Sequence, residues 1–319
     1  MSNNIKVLVV GAGNMGKAYA KVLKAQNIDF TVITRKRQTA VSFESETGVG
    51  VVIGNLEEFL QKNKGVFTHA INAVNVEGLV VVSETLIANS ILNILVEKPL
   101  GMTLESVSEL NKIAKDANAR VYVAYNRRYY ASTEKALEIV REDGGVRSVS
   151  FEFTEWKARI DWSHYSQIGR ERWLIGNSSH VIDLAFFFAG EPRVWSSYSG
   201  RADGGSSDIF VGSGITENNV YFSYSANWDA PGRWAVELMT EKHRLYFKPM
   251  EKLAIQNLNS VIVEEVPIDD ALDVEFKPGI YKEVEDFLSK KVSNKLKKLE
   301  TQLYSMAIYE DILYGKSKN

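Results

Sequence analysis

IKVLVVGAGNMG, Ile5 to Gly16, decides the fold. An apolar run, IKVLVV, reads as a buried strand, and it enters a glycine-rich turn with the spacing Gly11-x-Gly13-x-x-Gly16. The stretch AYAKVLKAQ after it has the composition of a helix. In such a turn the first glycine permits a tight bend and the second lets a pyrophosphate approach the backbone. The third lets the helix pack closely on the strand. The helix N-terminus adds free N–H groups and the positive end of a dipole. Taken alone, the glycines would fit any tight turn of an α/β domain. A second strand, Phe30 to Thr34 (FTVIT), arrives where a strand–helix–strand unit needs it, and this context points to dinucleotide binding. Gly11, Gly13, Asn14, Met15 and Gly16 are therefore candidate cofactor contacts.

Bulk properties narrow the class. A length of 319 residues suggests about two domains. Hydrophobic content of 45% and charged content of 24% are those of an ordinary globular protein. A net charge of −2 provides no field to attract nucleic acid or an acidic membrane. No apolar run reaches the roughly 18–20 residues of a membrane span, and the opening MSNN is unlike a secretory signal. The absence of cysteine excludes disulfides, thiolate nucleophiles and thiolate metal sites; no metal is expected, and the expected location is cytoplasmic.

The second strand ends in Thr34-Arg35-Lys36-Arg37. In NAD sites an acidic residue here holds the ribose hydroxyls. A hydroxyl beside three cations suits a 2′-phosphate instead, so NADP(H) is expected to be preferred over NAD(H); the other reading is a solvated basic loop. Further strands of parallel type are Phe67 to Val74 and Ile91 to Val96. Loops at the carboxyl ends of such strands line the ligand crevice. Val74, Asn75 and Glu97 thus join the candidate cofactor contacts, while His69, inside its strand, reads as a satisfied core histidine. Lys98, fixed by Pro99, is placed to hydrogen-bond a substrate oxygen, although the triplet alone would read as a surface turn. A helix over Leu104–Ala117 and a strand over Arg120–Tyr125 follow, then Asn126-Arg127-Arg128. The two arginines suit substrate binding or bracing of a domain junction equally.

The rhythm then changes. After a helix at Ser132–Glu142, strands alternate at Val146–Glu155, Trp195–Arg201, Asp208–Gly214, Asn219–Asn227, Trp234–Thr240, His243–Lys248, Ala254–Gln256 and Val261–Val266. This predicts an α/β chain: a doubly wound parallel sheet at residues 1–124, and an α+β domain at 125–319 with a large open, mostly antiparallel sheet. Within the second domain, WLIGNSSHVIDLAFFFAG (Trp173–Gly190) reads as a polar loop entering an apolar helix. His180 starts that helix and Asp183 lies one turn on, so the histidine is either a general base with its tautomer held or a cap on a buried helix. His164 and His243 have no such neighbourhood in sequence. Residues 157–172 read as a loop, and the end of the chain as helices at Tyr281–Ser289 and Lys295–Tyr314.

GAGNMG near the N-terminus, VEKPL at 96–100, YNRRY at 125–129, SHVIDL from 179 and FFFAGEP to 192 occur in an order and spacing that resemble the glucose–fructose oxidoreductase/inositol dehydrogenase (Gfo/Idh/MocA) family. The resemblance implies a Rossmann domain, a nicotinamide cofactor and a sugar, cyclitol or nucleotide-sugar substrate. It also implies Lys98 and His180 as catalytic groups facing the nicotinamide, and a homodimer or homotetramer formed through the C-terminal sheet. Asp183, Asn177, Arg127, Arg128 and Tyr125 are candidate supporting or substrate-binding residues. The expected reaction is hydride transfer at a secondary alcohol or ketone. The chain departs from the family at Gly176, where many of its dehydrogenases carry aspartate four residues before the histidine. That departure leaves two other expectations open: a cofactor-recycling hydrolase or epimerase, and a non-catalytic NADP-binding regulator.

Overall fold

In the computed structural model, which describes residues 5–200, 207–228 and 230–318, the chain divides into two compact units. The first holds the chain as far as Asn126 together with Leu272–Leu303. The second holds Arg127–Ala271 and the end of the chain from Tyr304. The break after residue 126 falls beside the boundary expected from sequence. Residues 272–303 differ from that expectation, because they pack with the first unit instead of the second.

The first unit alternates strand and helix: β1 (Lys6–Val10), α1 (Asn14–Ala25), β2 (Asp29–Thr34), α2 (Arg37–Thr47), β3 (Val51–Ile53), α3 (Leu56–Lys62), β4 (His69–Asn72), α4 (Leu79–Ala88), β5 (Asn93–Glu97), α5 (Leu104–Asp116) and β6 (Arg120–Ala124). Strands β1 to β6 are parallel, in the order β6-β5-β4-β1-β2-β3. Helices cover both faces of such a sheet, which is why its middle strands are apolar along their length: Val7, Leu8 and Val9 are fully buried, as are Ile94, Leu95 and Val96. The strand order reverses between β1 and β4, and ligands bind outside the carboxyl ends of strands at such a switch.

The second unit carries α6 (Ala131–Glu142), β7 (Ser148–Glu152), α7 (Gln167–Glu171), α8 (Ser179–Ala189), β8 (Pro192–Gly200), β9 (Ile209–Thr216), β10 (Tyr221–Asn227), β11 (Ala235–Met239), β12 (His243–Phe247), β13 (Ala254–Asn257) and β14 (Val263–Glu265). Among the described residues these strands form one sheet in the order β14-β13-β12-β11-β7-β10-β9-β8, antiparallel except where β7 meets β10. Arg201, expected at the end of a strand, lies outside the described residues. Helix α8 is mostly apolar and mostly buried, with Asp183 as its buried charge. Its Phe186 ring meets Phe151 edge-on at 5.6 Å and Phe222 at 5.1 Å.

The chain closes with α9 (Ala271–Glu275), α10 (Ile280–Phe287), β15 (Lys297–Lys298) and α11 (Leu299–Tyr314). Two local expectations change. The helix expected from Lys295 starts at Leu299, because Lys297 and Lys298 pair antiparallel with Val123 and Tyr122 and extend the first sheet. The polar loop expected before α8 is a π-helical turn, Leu174–Ser178, continuous with α8. Single π turns inside helices set side chains out of the usual register, often at functional sites.

Candidate active site

In the first unit, the glycine turn is built as a cofactor cradle would be. Gly11 has φ +111°, and a Cβ there would stand 2.5 Å from the Ala73 carbonyl oxygen after β4. A Cβ on Gly16 would lie 2.1 Å from the Gly11 carbonyl oxygen, so no side chain fits where α1 crosses β1. A Cβ on Gly13 meets nothing within 4 Å, which leaves an open approach to the backbone. Gly13 is also the N-cap of α1, with no side-chain cap and no acid in the first turn, so the N–H groups and dipole at Asn14, Met15 and Gly16 are free for an anion. These residues fit a dinucleotide pyrophosphate.

Thr34 ends β2, and Arg35, Lys36 and Arg37 are exposed where α2 begins. None of the three cations has a hydrogen-bond or ion-pair partner among the described residues, and α2 too starts without a side-chain cap or an acid in its first turn. Val74 and Asn75 follow β4, with Asn75 exposed. Glu97 ends β5, and its carboxyl accepts the Tyr19 hydroxyl hydrogen of α1 at 2.7 Å. Burial pushes the Glu97 carboxyl up from its ordinary range, and burial with the Glu97 charge pushes the Tyr19 phenol up. Lys98 comes next, joined to Pro99 by a cis peptide bond. The turn is pinned twice: Leu100 N–H donates to the Glu97 carbonyl at 3.0 Å, and Gln302 Nε2 to the Pro99 carbonyl at 2.8 Å. Tyr125, just beyond β6, is buried with the Lys297 ammonium 5.1 Å from its ring centre.

In the second unit, the adjacent arginines have different surroundings. Arg128 is buried, and its Nε and terminal nitrogen each donate to Asp183 at 2.7 Å in a fork that takes both carboxylate oxygens. Phe187 of α8 stacks on the same guanidinium at 4.8 Å. Asp183, expected from sequence to support His180, fastens α8 to Arg128. His180, the second residue of α8, lies 6.2 Å from the Trp234 ring between centroids. Asn177 Nδ2 donates to Glu155 Oε1 at 2.8 Å, Ser178 Oγ donates to the same oxygen at 2.8 Å, and Trp234 Nε1 does so at 3.2 Å. Arg233 binds the other oxygen at 3.2 Å. Burial pushes the Glu155 carboxyl up, against these stabilising bonds.

Glu155, Arg233 and Trp234 escaped the sequence reading. Glu155 ends an alternating stretch of sequence but lies three residues beyond β7, and its partners lie 22 to 79 residues away in the chain, so no local pattern announces it. His243, judged isolated in sequence, sits 2.6 Å from Asp143 Oδ2. That contact ties the β12 end to the cap of α6.

Comparison with known proteins agrees with this geometry. Residues 5–125 match the family model GFO_IDH_MocA, described as an oxidoreductase family with an NAD-binding Rossmann fold. The glucose-6-phosphate 3-dehydrogenase of Bacillus subtilis (strain 168) is 25% identical over 191 residues, 57% of this chain and 53% of its own; the match thus spans about half of that relative. The structure of a levoglucosan dehydrogenase in complex with NADH superposes with a TM-score of 0.79 at 18% identity, covering 98% of this chain and 96% of the other. The UDP-N-acetylglucosamine 3-dehydrogenase of Acidithiobacillus ferrooxidans superposes with a TM-score of 0.73 at 14% identity, covering 97% and 96%. At such identities the superpositions establish a shared fold. The glycine turn, the strand order and the matched model agree that residues 5–125 form a Rossmann domain similar to the NAD-binding domain of the Gfo/Idh/MocA oxidoreductase family.

Proposed function

We propose that the protein is an NAD(P)-dependent dehydrogenase acting on a secondary alcohol, or its ketone, of a sugar-type substrate. The observation that carries the reading is the cradle at Gly11, Gly13 and Gly16, open to an anion at the uncapped start of α1 and set at the switch point of the parallel sheet. Three of the proteins it resembles are dehydrogenases named for a sugar or sugar derivative, which supports the substrate class. A bound nicotinamide would supply the hydride acceptor or donor. Asn14, Met15 and Gly16 hold the pyrophosphate by backbone N–H, and Val74, Asn75 and Glu97 border the cofactor. Arg35, Lys36 and Arg37, with the Thr34 hydroxyl, receive a 2′-phosphate, so NADP(H) is bound more tightly than NAD(H).

In the oxidative direction His180 takes the hydroxyl proton at a ring nitrogen, and the Lys98 ammonium donates a hydrogen bond to the developing oxyanion. Arg128, through Asp183, fixes the helix that carries His180. Asn177 and Tyr125 bear on the substrate only by shaping its surroundings. Association through the open face of the second sheet and a cytoplasmic setting complete the proposal.

The test has two parts. Equilibrium titration of the wild type should give a lower dissociation constant for NADP(H) than for NAD(H); the reverse order removes the assigned preference. Turnover of a panel of sugars, sugar phosphates and cyclitols, followed by reduced-nicotinamide absorbance, should fall by at least about 10²-fold in Lys98→Ala and in His180→Ala. Near-normal rates in both variants would sink the mechanism.

A further inference from the structure

Around Glu155 the second unit stacks arginines and aromatic rings alternately. The Arg159 guanidinium lies 5.2 Å from the Trp156 ring centre. Arg233 lies 4.8 Å from the ring centres of both Trp156 and Trp234. Arg127 lies 4.7 Å from Trp234 and 5.8 Å from Tyr130. A guanidinium stacked on a ring keeps its N–H fork at the edge, directed out of the stack and free to bind a planar or tetrahedral oxyanion.

The charges of this ladder do not balance. Among the described residues, three guanidiniums face one carboxylate, Glu155, which bonds only Arg233 among them and is already held by three neutral donors. Three positive charges less one negative leave two. Arg127 is the sharpest case. Its Nε is buried without a hydrogen-bond partner, and no ion pair reaches its guanidinium among the described residues. Glu251 acts on it only through a longer-range field, and burial lowers its pKa. Arginines this enclosed are ordinarily paired, and a buried donor without an acceptor is costly. Arg159, at the other end, is exposed and likewise has no ion-pair partner among the described residues. Beside it the indoles of Trp156 and Trp228 line a hollow of about 310 Å³ with Lys157, whose charge Asp208 already takes.

We propose that this ladder is an oxyanion subsite, and that the substrate is an anionic sugar whose phosphate or carboxylate group binds the N–H edge of Arg127, in the positive field that Arg233 and Arg159 add along the ladder. The proposal rests on the reading of the protein as a sugar dehydrogenase and narrows its substrate class. The oxyanion supplies the acceptors that Arg127 lacks and the negative charge that the cluster lacks. Glu155 holds Arg233 in register from below, and Trp234 spaces the two inner arginines.

Binding can be read without turnover. Inorganic phosphate, a hexose 6-phosphate, a hexuronate and the neutral hexose are titrated against the full chain, following tryptophan emission, for wild type, Arg127→Gln, Arg127→Lys and Arg159→Gln. The wild type should bind an anionic sugar at least about tenfold more tightly than the neutral hexose, with inorganic phosphate competing. A preference for the 6-phosphate over the hexuronate assigns a phosphate monoester, and the opposite preference a carboxylate. Arg127→Gln should lose most of the discrimination and Arg127→Lys should recover part of it. If Arg127→Gln fails to fold, the exposed Arg159→Gln carries the test by the same ratio. Equal affinities for charged and neutral sugars in the wild type, or an unchanged ratio in the folded variants, overturn the proposal. The two readings fail separately. A chain that binds anionic sugars through these arginines yet oxidises no sugar refutes the dehydrogenase alone. One that oxidises neutral sugars with no anion preference refutes the subsite alone.

Discussion

At the scale of single residues, burial decides which polar groups titrate usefully and which are fixed. His69 sits in β4, its ring 5.4 Å from Phe287 and edge-on to it, with Nδ1 2.9 Å from the Thr68 hydroxyl. Burial, with a smaller effect of the Arg120 charge, pulls its pKa down to about 4. The folded state therefore binds fewer protons at this site than the unfolded chain between the ordinary histidine value of about 6.5 and about 4. Stability should rise with pH across that window and be lost progressively as the pH falls through it. Replacing the histidine, as in His69→Gln, should flatten this acid limb of a urea-unfolding series between pH 4 and pH 7; an unchanged slope would refute the assignment. The core role of His69 was legible from its place inside an apolar strand. The separation of Arg127 from Arg128 was not, since adjacent identical residues differ only in what the fold brings to them. Asp183 reaches Arg128 across 55 residues, and a buried pair of this kind leaves a costly uncompensated charge when one partner is removed.

At the scale of elements, the glycine turn shows why some structure can be read from a sequence and some cannot. The turn is local: strand, bend and helix start lie within Ile5–Gly16, and Gly11 and Gly16 answer constraints set by the residues just after β4 and by the turn itself. A Cβ on Gly16 would meet a backbone oxygen at 2.1 Å, and backbone cannot swing away as a flexible side chain can. Gly16→Ala should therefore displace the start of α1, weaken cofactor binding by at least about tenfold and lower the thermal midpoint. Titration of NADP(H) against the variant measures the first effect and a melting curve the second, and wild-type binding in the variant would show that the close approach is not needed. Alternation likewise announced the antiparallel strands. The short β15 was hidden, because two lysines in a lysine-rich stretch carry no strand pattern; only pairing with β6 makes them one. The π turn before α8 was hidden for a similar reason, since its sequence, LIGNS, differs little from that of a polar loop.

At the scale of the whole molecule, the open side of the second sheet asks for a partner. Strands β8, β9 and β10 turn Trp195, Phe210, Phe222 and Tyr224 inward, where they are buried. The alternate positions stand in register across the three strands: Val194 beside Ile215 beside Tyr221, Ser196 beside Ser213 beside Ser223, and Tyr198 beside Val211 beside Ser225. None of these nine side chains is charged, and Tyr198, Val211 and Tyr221 are 67%, 44% and 63% exposed. An uncharged face with aromatic and branched residues is unusual on a free surface. The edge of the sheet is a less suitable contact, because the chain end already pairs with it: Trp195 and Lys318 exchange both backbone hydrogen bonds at 2.9 Å, and Ser197 N–H donates to the Ser317 hydroxyl at 3.2 Å. Association should therefore proceed face to face, as a symmetric pairing in which the same rows meet their copies. Tyr198→Asp combined with Val211→Asp places like charges opposite one another across such a contact. Light scattering should find the wild type as a dimer or tetramer and the double variant as a monomer with its fold intact by circular dichroism. A monomeric wild type at micromolar concentration, or an unaltered assembly in the double variant, would show that this face is not the interface.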